Sequence, residues 1–401
     1  MSGTTYHLRP RSGWLNDPNG MVRRGERWHV FFQHNPDAPA HDRIAWGHAS
    51  STDLAHWEQH PVAFGPTPGG PDAFGCWSGC YLPGLDRPAV AYSGIAADPP
   101  HSTVCVRTGS EDLLTWSSPT VVATTPPHVR EMRDPFVLDH AGRRFAVLGA
   151  GLPGGEPALT LFGLDDPWRW KDLGVWLTAS SSPVLAGAGP ADVWECPQLV
   201  PVDDRWVLVL SLHDRGHLGD VAGCVGDLVD DGGVPRFVPE RLDLLDTGSC
   251  FYAPQVALDG DPHPWVIGWA REEDRDPAER DHAGCMTLAR RLVLVDGRAR
   301  LVLDRRAEQL LGEELDELGP GEHRLQGAAR VVVRGTGALV HPDLGPVALG
   351  EGDEAWVDDE LVEVYPADAA PSTWRSPAPW TLRVEEGTAT LSIPQASASS
   401  R

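Results

Sequence analysis

Five short stretches recur along this chain at nearly constant spacing, and no other feature narrows the possible folds as much. They are Asp17-Pro18, Trp77-Ser78-Gly79, Asp134-Pro135, Glu195-Cys196-Pro197 and Tyr252-Ala253-Pro254. Each follows a turn and precedes an apolar strand. Counted at positions 17, 78, 134, 195 and 252, the steps are 61, 56, 61 and 57 residues. Between the marks lie short apolar runs such as Trp28-His29-Val30-Phe31-Phe32, Phe145-Ala146-Val147-Leu148 and Trp206-Val207-Leu208-Val209-Leu210. They read as strands, with no long amphipathic helix among them. A second series keeps the same phase: Ser51-Thr52-Asp53-Leu54-Ala55-His56-Trp57, Ser110-Glu111-Asp112-Leu113-Leu114-Thr115-Trp116 and Asp166-Pro167-Trp168-Arg169-Trp170. Here the Asp is expected to cap a single helical turn and the Trp to start the next strand.

A period of this size built from short strands is the mark of a β-propeller, in which four-stranded blades surround a central channel. Five marks imply five blades, expected over residues 1–303. Residues 304–322 are acidic and Leu-rich and read as a connector. Residues 323–395 alternate apolar and polar positions, as in Ala329-Arg330-Val331-Val332-Val333, which suits a small β-sandwich. The Ala/Ser tail, 396–401, is expected to be disordered. The fold class is therefore all-β, a five-bladed propeller followed by a short sandwich.

With 33 basic and 57 acidic residues the net charge is −24, which argues against nucleic acid and against an anionic membrane as partners. Met1 to Gly13 lacks the basic and apolar regions of a secretory signal. The seven cysteines are scattered without a Cys-x-x-Cys pair, a pattern that fits reduced thiols; a cytoplasmic location is the expectation.

If the five marks hold equivalent places on innermost strands, their side chains share one axial pocket. Three of them are carboxylates, Asp17, Asp134 and Glu195. Like charges raise one another's pKa, so such a cluster needs a use. Hydrolysis of a glycosidic bond and metal binding both suit it. The neighbours favour sugar: Trp14, Trp46, Trp77 and Trp269 offer apolar faces, and Asn16, Gln33, Ser78 and Arg133 offer partners for hydroxyls. A calcium site would want several carboxylates in one loop, and none is present; the His56/His60 pair lies at a strand start and makes a poor zinc site. No metal and no cofactor is expected.

Trp14-Leu15-Asn16-Asp17-Pro18-Asn19-Gly20, Met132-Arg133-Asp134-Pro135 and Trp194-Glu195-Cys196-Pro197 resemble the three signature motifs of glycoside hydrolase family 32, the β-fructofuranosidase, invertase, inulinase and levanase family. The likeness continues in order through Phe32-Gln33-His34-Asn35-Pro36, Trp46-Gly47-His48-Ala49, Trp77-Ser78-Gly79, Phe251-Tyr252-Ala253-Pro254-Gln255 and Gly268-Trp269, and more faintly into Glu363-Val364-Tyr365. It implies a propeller-plus-sandwich fold and a β-fructoside substrate such as sucrose, a fructo-oligosaccharide or a fructan. By the same resemblance Asp17 is the nucleophile, Glu195 the general acid and then base, and Asp134 the residue that grips two fructose hydroxyls. Asn16, Gln33, Ser78, Tyr252 and the Trp faces would form the fructose subsite, with Arg133 keeping Asp134 ionised and Cys196 tuning the acid beside it.

The chain departs from the family pattern at Phe136, where Lys is frequent, and at Cys250, where Asp is frequent; both are expected near the pocket. The function implied is a retaining, exo-acting β-fructosidase. A fructosyltransferase, a sucrose-6-phosphate hydrolase, a non-catalytic sugar-binding propeller and an arabinosidase or xylosidase on a similar fold are the alternatives.

Overall fold

The computed structural model describes residues 6–96, 102–272, 280–314, 317–325, 327–376 and 379–395. The tail 396–401 lies outside the described residues. Five blades are present, and their innermost strands are Gly13–Arg24, Gly75–Tyr81, Glu131–His140, Val193–Val202 and Phe251–Ala257. The apolar runs singled out in the sequence form the second strand of each blade. The ring closes through blade 1: Gly13 and Trp14 pair in parallel with His282 and Ala283, which lie between the second and third strands of blade 5, and the Gly13 amide donates to the Asp281 carbonyl at 2.8 Å.

Every innermost strand carries the same irregularity. Leu15 to Pro18 oppose His34 to Phe32, and Cys76 to Gly79 oppose Gly94 to Tyr92. Arg133 to Phe136 oppose Gly149 to Val147, Glu195 to Gln198 oppose Ser211 to Val209, and Tyr252 to Gln255 oppose Trp269 to Ile267. Each is a bulge that inserts one extra residue. Proline is tolerated there because the channel edge of the strand has no ladder partner. The backbone turns left-handed at Asp134, Cys196 and Ala253, with φ of 60°, 44° and 42°.

The bulges correct the assumed equivalence of the five marks. In register, Asp17 matches Ser78, Pro135, Pro197 and Pro254, whereas Asp134 sits one place earlier in its bulge and Glu195 two places earlier. The three carboxylates therefore come from three different positions of one repeated bulge.

Below them the channel is plugged. Gln255 accepts from the Met21 amide and donates to the Gly79 carbonyl, both at 2.7 Å, and Asn19 accepts from the Gly79 amide at 2.9 Å. Gln198 donates to the Pro254 carbonyl and accepts from the Val256 amide at 2.6 Å. Phe136 stands in the same register row as Gln198 and Gln255, so it fills the channel under the pocket rather than facing into it.

The Asp-x-x-x-Trp repeats form tight turns, not helical ones. Asp53 Oδ1 accepts from the Ala55 and His56 amides at 2.9 and 2.8 Å, and Asp112 and Asp166 each accept from the amide two residues on. Leu54 and Leu113, with φ of 61° and 59°, break the helical path in the first two.

The C-terminal unit is one sheet folded into two layers by its two longest strands, Ala329–His341 and Thr381–Pro394. They bend together where Gly335 pairs with Gly387; a Cβ on Gly335 would stand 2.1 Å from the Glu386 carbonyl oxygen. Val331, Val333, Leu339, Val362 and Leu382 fill the space between the layers. The stretch read as a connector shrinks to the short 3-10 helix Arg305–Leu310, because Leu311–Glu314 and Gly321–Arg324 both pair with Thr381–Pro394.

Sandwich and propeller meet over buried charge. His7 places Nδ1 2.8 Å from Asp358 and Nε2 2.8 Å from Glu363. Arg290 of blade 5 reaches Glu363 at 2.6 Å, Asp246 at 2.7 Å and Thr373 at 2.7 Å. Burial lowers the His7 pKa, but the two carboxylates outweigh it and raise it to about 10. Glu363 is held down at about 2 against its own burial by Arg290 and His7. The sandwich thus supplies anions that bind the N-terminal segment of the propeller to its last blade. Removing one partner of a buried ion pair strands the others, at a cost of about 3–5 kcal/mol. Glu363→Gln is expected to lower the thermal midpoint far more than a substitution at an exposed pair such as Arg383–Glu322, as read by calorimetry.

Candidate active site

The pocket opens where the innermost strands begin and encloses a cavity of about 230 Å³. Its floor and walls bring together Asp17, Asp134 and Glu195 with Trp14, Asn16, Gln33, Trp77, Arg133, Tyr252 and Trp269. These ten residues from three motifs and two further blades meet at one end of the channel.

Asp17 is the most tightly held. Its Oδ2 accepts from Ser78 Oγ at 2.6 Å and from Gln33 Nε2 at 2.9 Å, and its Oδ1 accepts from Asn16 Nδ2 at 3.1 Å. Asn16 is itself fixed by the Trp14 indole N–H at 2.7 Å, and Trp14 meets Trp269 edge to face at 5.7 Å. Burial pushes the Asp17 carboxyl up to about 6; the Ser78 and Asn16 hydrogen bonds oppose this and the charge of Glu195 adds to it.

Asp134 is buried beside it. Its amide donates to Ser93 Oγ at 2.7 Å, and its Oδ2 accepts from the Cys196 amide at 3.0 Å. Desolvation and the Glu195 charge raise its pKa to about 7. Arg133 therefore acts in the expected direction without offsetting the burial. It lowers the value, but its hydrogen bonds go to Glu195, at 2.9 Å from Nε to Oε1, and to Glu131 at 2.5 Å. The other oxygen of Glu195 lies 2.7 Å from the Tyr252 hydroxyl, which is also 3.1 Å from the Leu212 carbonyl.

Several expected pocket residues have other places. Trp46 is fully buried in a separate aromatic cluster with Phe31, Phe64 and Tyr92; it pairs with Gln33 in the ladder and donates its indole N–H to the Trp77 carbonyl at 3.1 Å, but its ring does not line the pocket. Ser78 and Cys196 lie under the pocket floor: Ser78 bonds Asp17, and the Cys196 sulfur is 3.8 Å from Asp17 and 3.7 Å from Asp134. Cys250 belongs to the sandwich interface, where its amide donates to the Thr373 carbonyl at 3.1 Å.

Three pocket residues escaped the sequence reading: His41, His213 and Leu218. His213 is the second-last residue of the second strand of blade 4, as Trp269 is of that of blade 5, so the ends of the second strands carry a signal of their own. His213 Nδ1 lies 3.1 Å from Asp192. His41 sits on a loop without a repeat, where sequence has nothing to offer.

Buried acid groups, amide and hydroxyl donors and indole faces around one pocket suit a hydroxyl-rich ligand. Comparison with known proteins agrees. The profile described as "Glycosyl hydrolases family 32 N-terminal domain" matches residues 7–304, and the chain belongs to glycoside hydrolase family 32. Sucrose-6-phosphate hydrolase of Escherichia coli is 32% identical over 310 residues, 73% of this chain and 62% of that protein. Raffinose invertase of Escherichia coli is 29% identical over 381 residues, 88% of this chain and 77% of that protein. The chain thus spans less than two thirds of the length of the first of these relatives. Among solved structures, a Bombyx mori GH32 β-fructofuranosidase in complex with sucrose superposes with a TM-score of 0.82 at 21% identity, covering 98% of this chain and 93% of that one. Fructan 1-exohydrolase IIa from Cichorium intybus in complex with 1-kestose gives 0.78 at 20%, covering 98% and 96%. At such identities the structures speak for the fold.

Because Ser78 touches Asp17 and lies beneath the pocket floor, Ser78→Ala is expected to raise the Asp17 titration midpoint above that of the wild type, since the Ser78 hydrogen bond favours the carboxylate. Carboxyl-carbon NMR of Asp-labelled protein measures the shift.

Proposed function

We propose that this protein is a retaining, exo-acting β-fructosidase that hydrolyses the terminal β-D-fructofuranosyl bond of sucrose or short fructans by double displacement. The observation that carries the reading is the contrast between two carboxyl groups of one pocket. Asp17 is locked by three donors and cannot swing, as suits a nucleophile. Glu195 has a hydroxyl partner that serves either protonation state. The Tyr252 phenol can donate to the Glu195 carboxylate, or accept from the acid while donating to the Leu212 carbonyl. A group that alternates between acid and base needs such a partner.

Asp17 attacks the anomeric carbon while Glu195 gives its proton to the departing glycosidic oxygen. Glu195 then takes a proton from water, which releases fructose from Asp17. Asp134, whose backbone is pinned by Ser93, accepts hydrogen bonds from fructose hydroxyls and steadies the oxocarbenium-like transition state. Trp14, Trp77 and Trp269 cover the apolar faces of the ring. The amide plug of Asn19, Gln198 and Gln255 seals the channel beneath, so a fructan enters by its end and not by its middle. No metal or organic cofactor enters this scheme.

Sucrose 6-phosphate is the second reading, favoured by the names of relatives from Escherichia coli and Zymomonas mobilis at 31–32% identity. Against it, Arg133 already bridges Glu131 and Glu195, so a phosphate would have to share it with two carboxylates. Incubation with sucrose, sucrose 6-phosphate, a kestose, inulin and levan, with products separated by chromatography, decides between them. Oligomers appearing at high sucrose would mark transfer in place of hydrolysis.

Asp17→Asn and Glu195→Gln are each expected to lower kcat by about 10²–10⁴-fold or more; near-normal fructose release from either variant would overturn the mechanism. The nucleophile must be ionised, and its carboxyl is raised to about 6. The rate constant kcat/KM is therefore expected to fall as pH drops through about 6, measured as initial rates of fructose release.

A further inference from the structure

We propose that His41 is a positioning residue for the reaction: through Gln33 it sets the direction of the hydrogen bonds that hold Asp17. The inference rests on the β-fructosidase reading for its consequence, and on the geometry of four groups for its content.

Gln33 is buried, and its amide nitrogen lies 2.9 Å from Asp17 Oδ2 and 2.6 Å from Ser78 Oγ. Ser78 gives its own proton to Asp17 at 2.6 Å, so both neighbours of this amide nitrogen accept. The NH₂ end of Gln33 must then face the nucleophile, and its carbonyl must face away. On that far side the partner of Oε1 is His41 Nε2, at 3.1 Å. A carbonyl oxygen only accepts, so His41 has to carry a proton on Nε2. The alternative orientation of Gln33 would turn its carbonyl toward the Asp17 carboxylate. With its proton on Nε2, His41 adds a hydrogen bond to the working orientation and none to the alternative.

The imidazole is held for this task. Its ring stands edge-on between Trp77, at 5.7 Å and 63°, and Trp14, at 6.3 Å and 83°. The loop that carries it is fastened at its base by Asn35, whose Nδ2 donates to the Ala40 carbonyl and whose Oδ1 accepts from the Asp37 amide, each at 3.0 Å. Asn35 is buried, so the loop is tied to the blade and not merely draped over it. Side chains held by such fixed partners preorganise a reacting group without adding a charge to it.

Two substitutions separate hydrogen bonding from packing. His41→Phe keeps an aromatic ring between the two tryptophans and removes the donor. His41→Gln keeps an N–H at a similar reach. In His41→Phe the Asp17 titration midpoint is expected to move up, with a fall in kcat/KM of about tenfold, the effect of one lost hydrogen bond. In His41→Gln both are expected to stay near wild type, within about threefold in rate. Adding His41→Phe to Gln33→Ala is expected to change nothing further, because the route through Gln33 is already gone.

The inference is overturned if the Phe and Gln variants behave alike, or if the two losses multiply in the double variant. Carboxyl-carbon NMR reads the Asp17 midpoint in the absence of any substrate, so the outcome stands whatever sugar the enzyme prefers. Asp17→Asn, assayed alongside, separates the two claims. Turnover surviving in Asp17→Asn defeats the β-fructosidase mechanism, whereas a dead Asp17→Asn beside an unchanged His41→Phe defeats only the role of His41.

Discussion

The innermost strand of a propeller blade has one edge with no neighbouring strand, and in this protein everything near the axis follows from how that edge is satisfied. An unpaired row of N–H and C=O groups cannot be left dry. Below the pocket, Asn19, Gln198 and Gln255 stitch neighbouring strands together with side-chain amides. At the pocket itself a bulge in each strand releases backbone from the ladder, and side chains take over: the Cys196 amide goes to Asp134 and the Asp134 amide to Ser93. The same device that ends the ladder aims the acids. Channel closure and site construction are one event.

Charge is handled by the same logic at both ends of the molecule. The chain carries a net charge of −24, yet several of its carboxylates are buried. In the pocket the acids are crowded and short of cations, and burial lifts Asp17 and Asp134 into a range where they exchange protons near neutrality. At the sandwich interface the acids are matched by His7 and Arg290, and Glu363 is held at about 2. The first arrangement leaves acid groups able to hold a proton near neutrality; the second holds two domains together. What distinguishes them is the local count of positive partners.

Much of this was legible in the sequence. The number of blades, their order and the inner-strand origin of Asp17, Asp134 and Glu195 all follow from turn chemistry repeated at a regular spacing. What misled was proline. Matching Asp17-Pro18 with Asp134-Pro135 shifts the register by one, because Pro18 follows its bulge while Pro135 lies within its own. Trp46 shows the related limit. It is aromatic, near the motifs and on a blade 1 strand, yet strand alternation turns its ring into the cluster of Phe31, Phe64 and Tyr92.

Sequence by itself determined the architecture and the chemical inventory: a strand-and-turn period allows few folds, and three carboxylates in phase with it must approach one axis. Tertiary structure decided which side chains face the pocket, which support the acids and which lie in the core. A bulge resets the alternation of a strand by one residue, and no local pattern reports that reset. It also decided the long-range partnerships, such as His7 with Glu363 and Gln33 with His41. Those depend on where loops and domains come to rest, and their partners are chosen by distance in space and not along the chain.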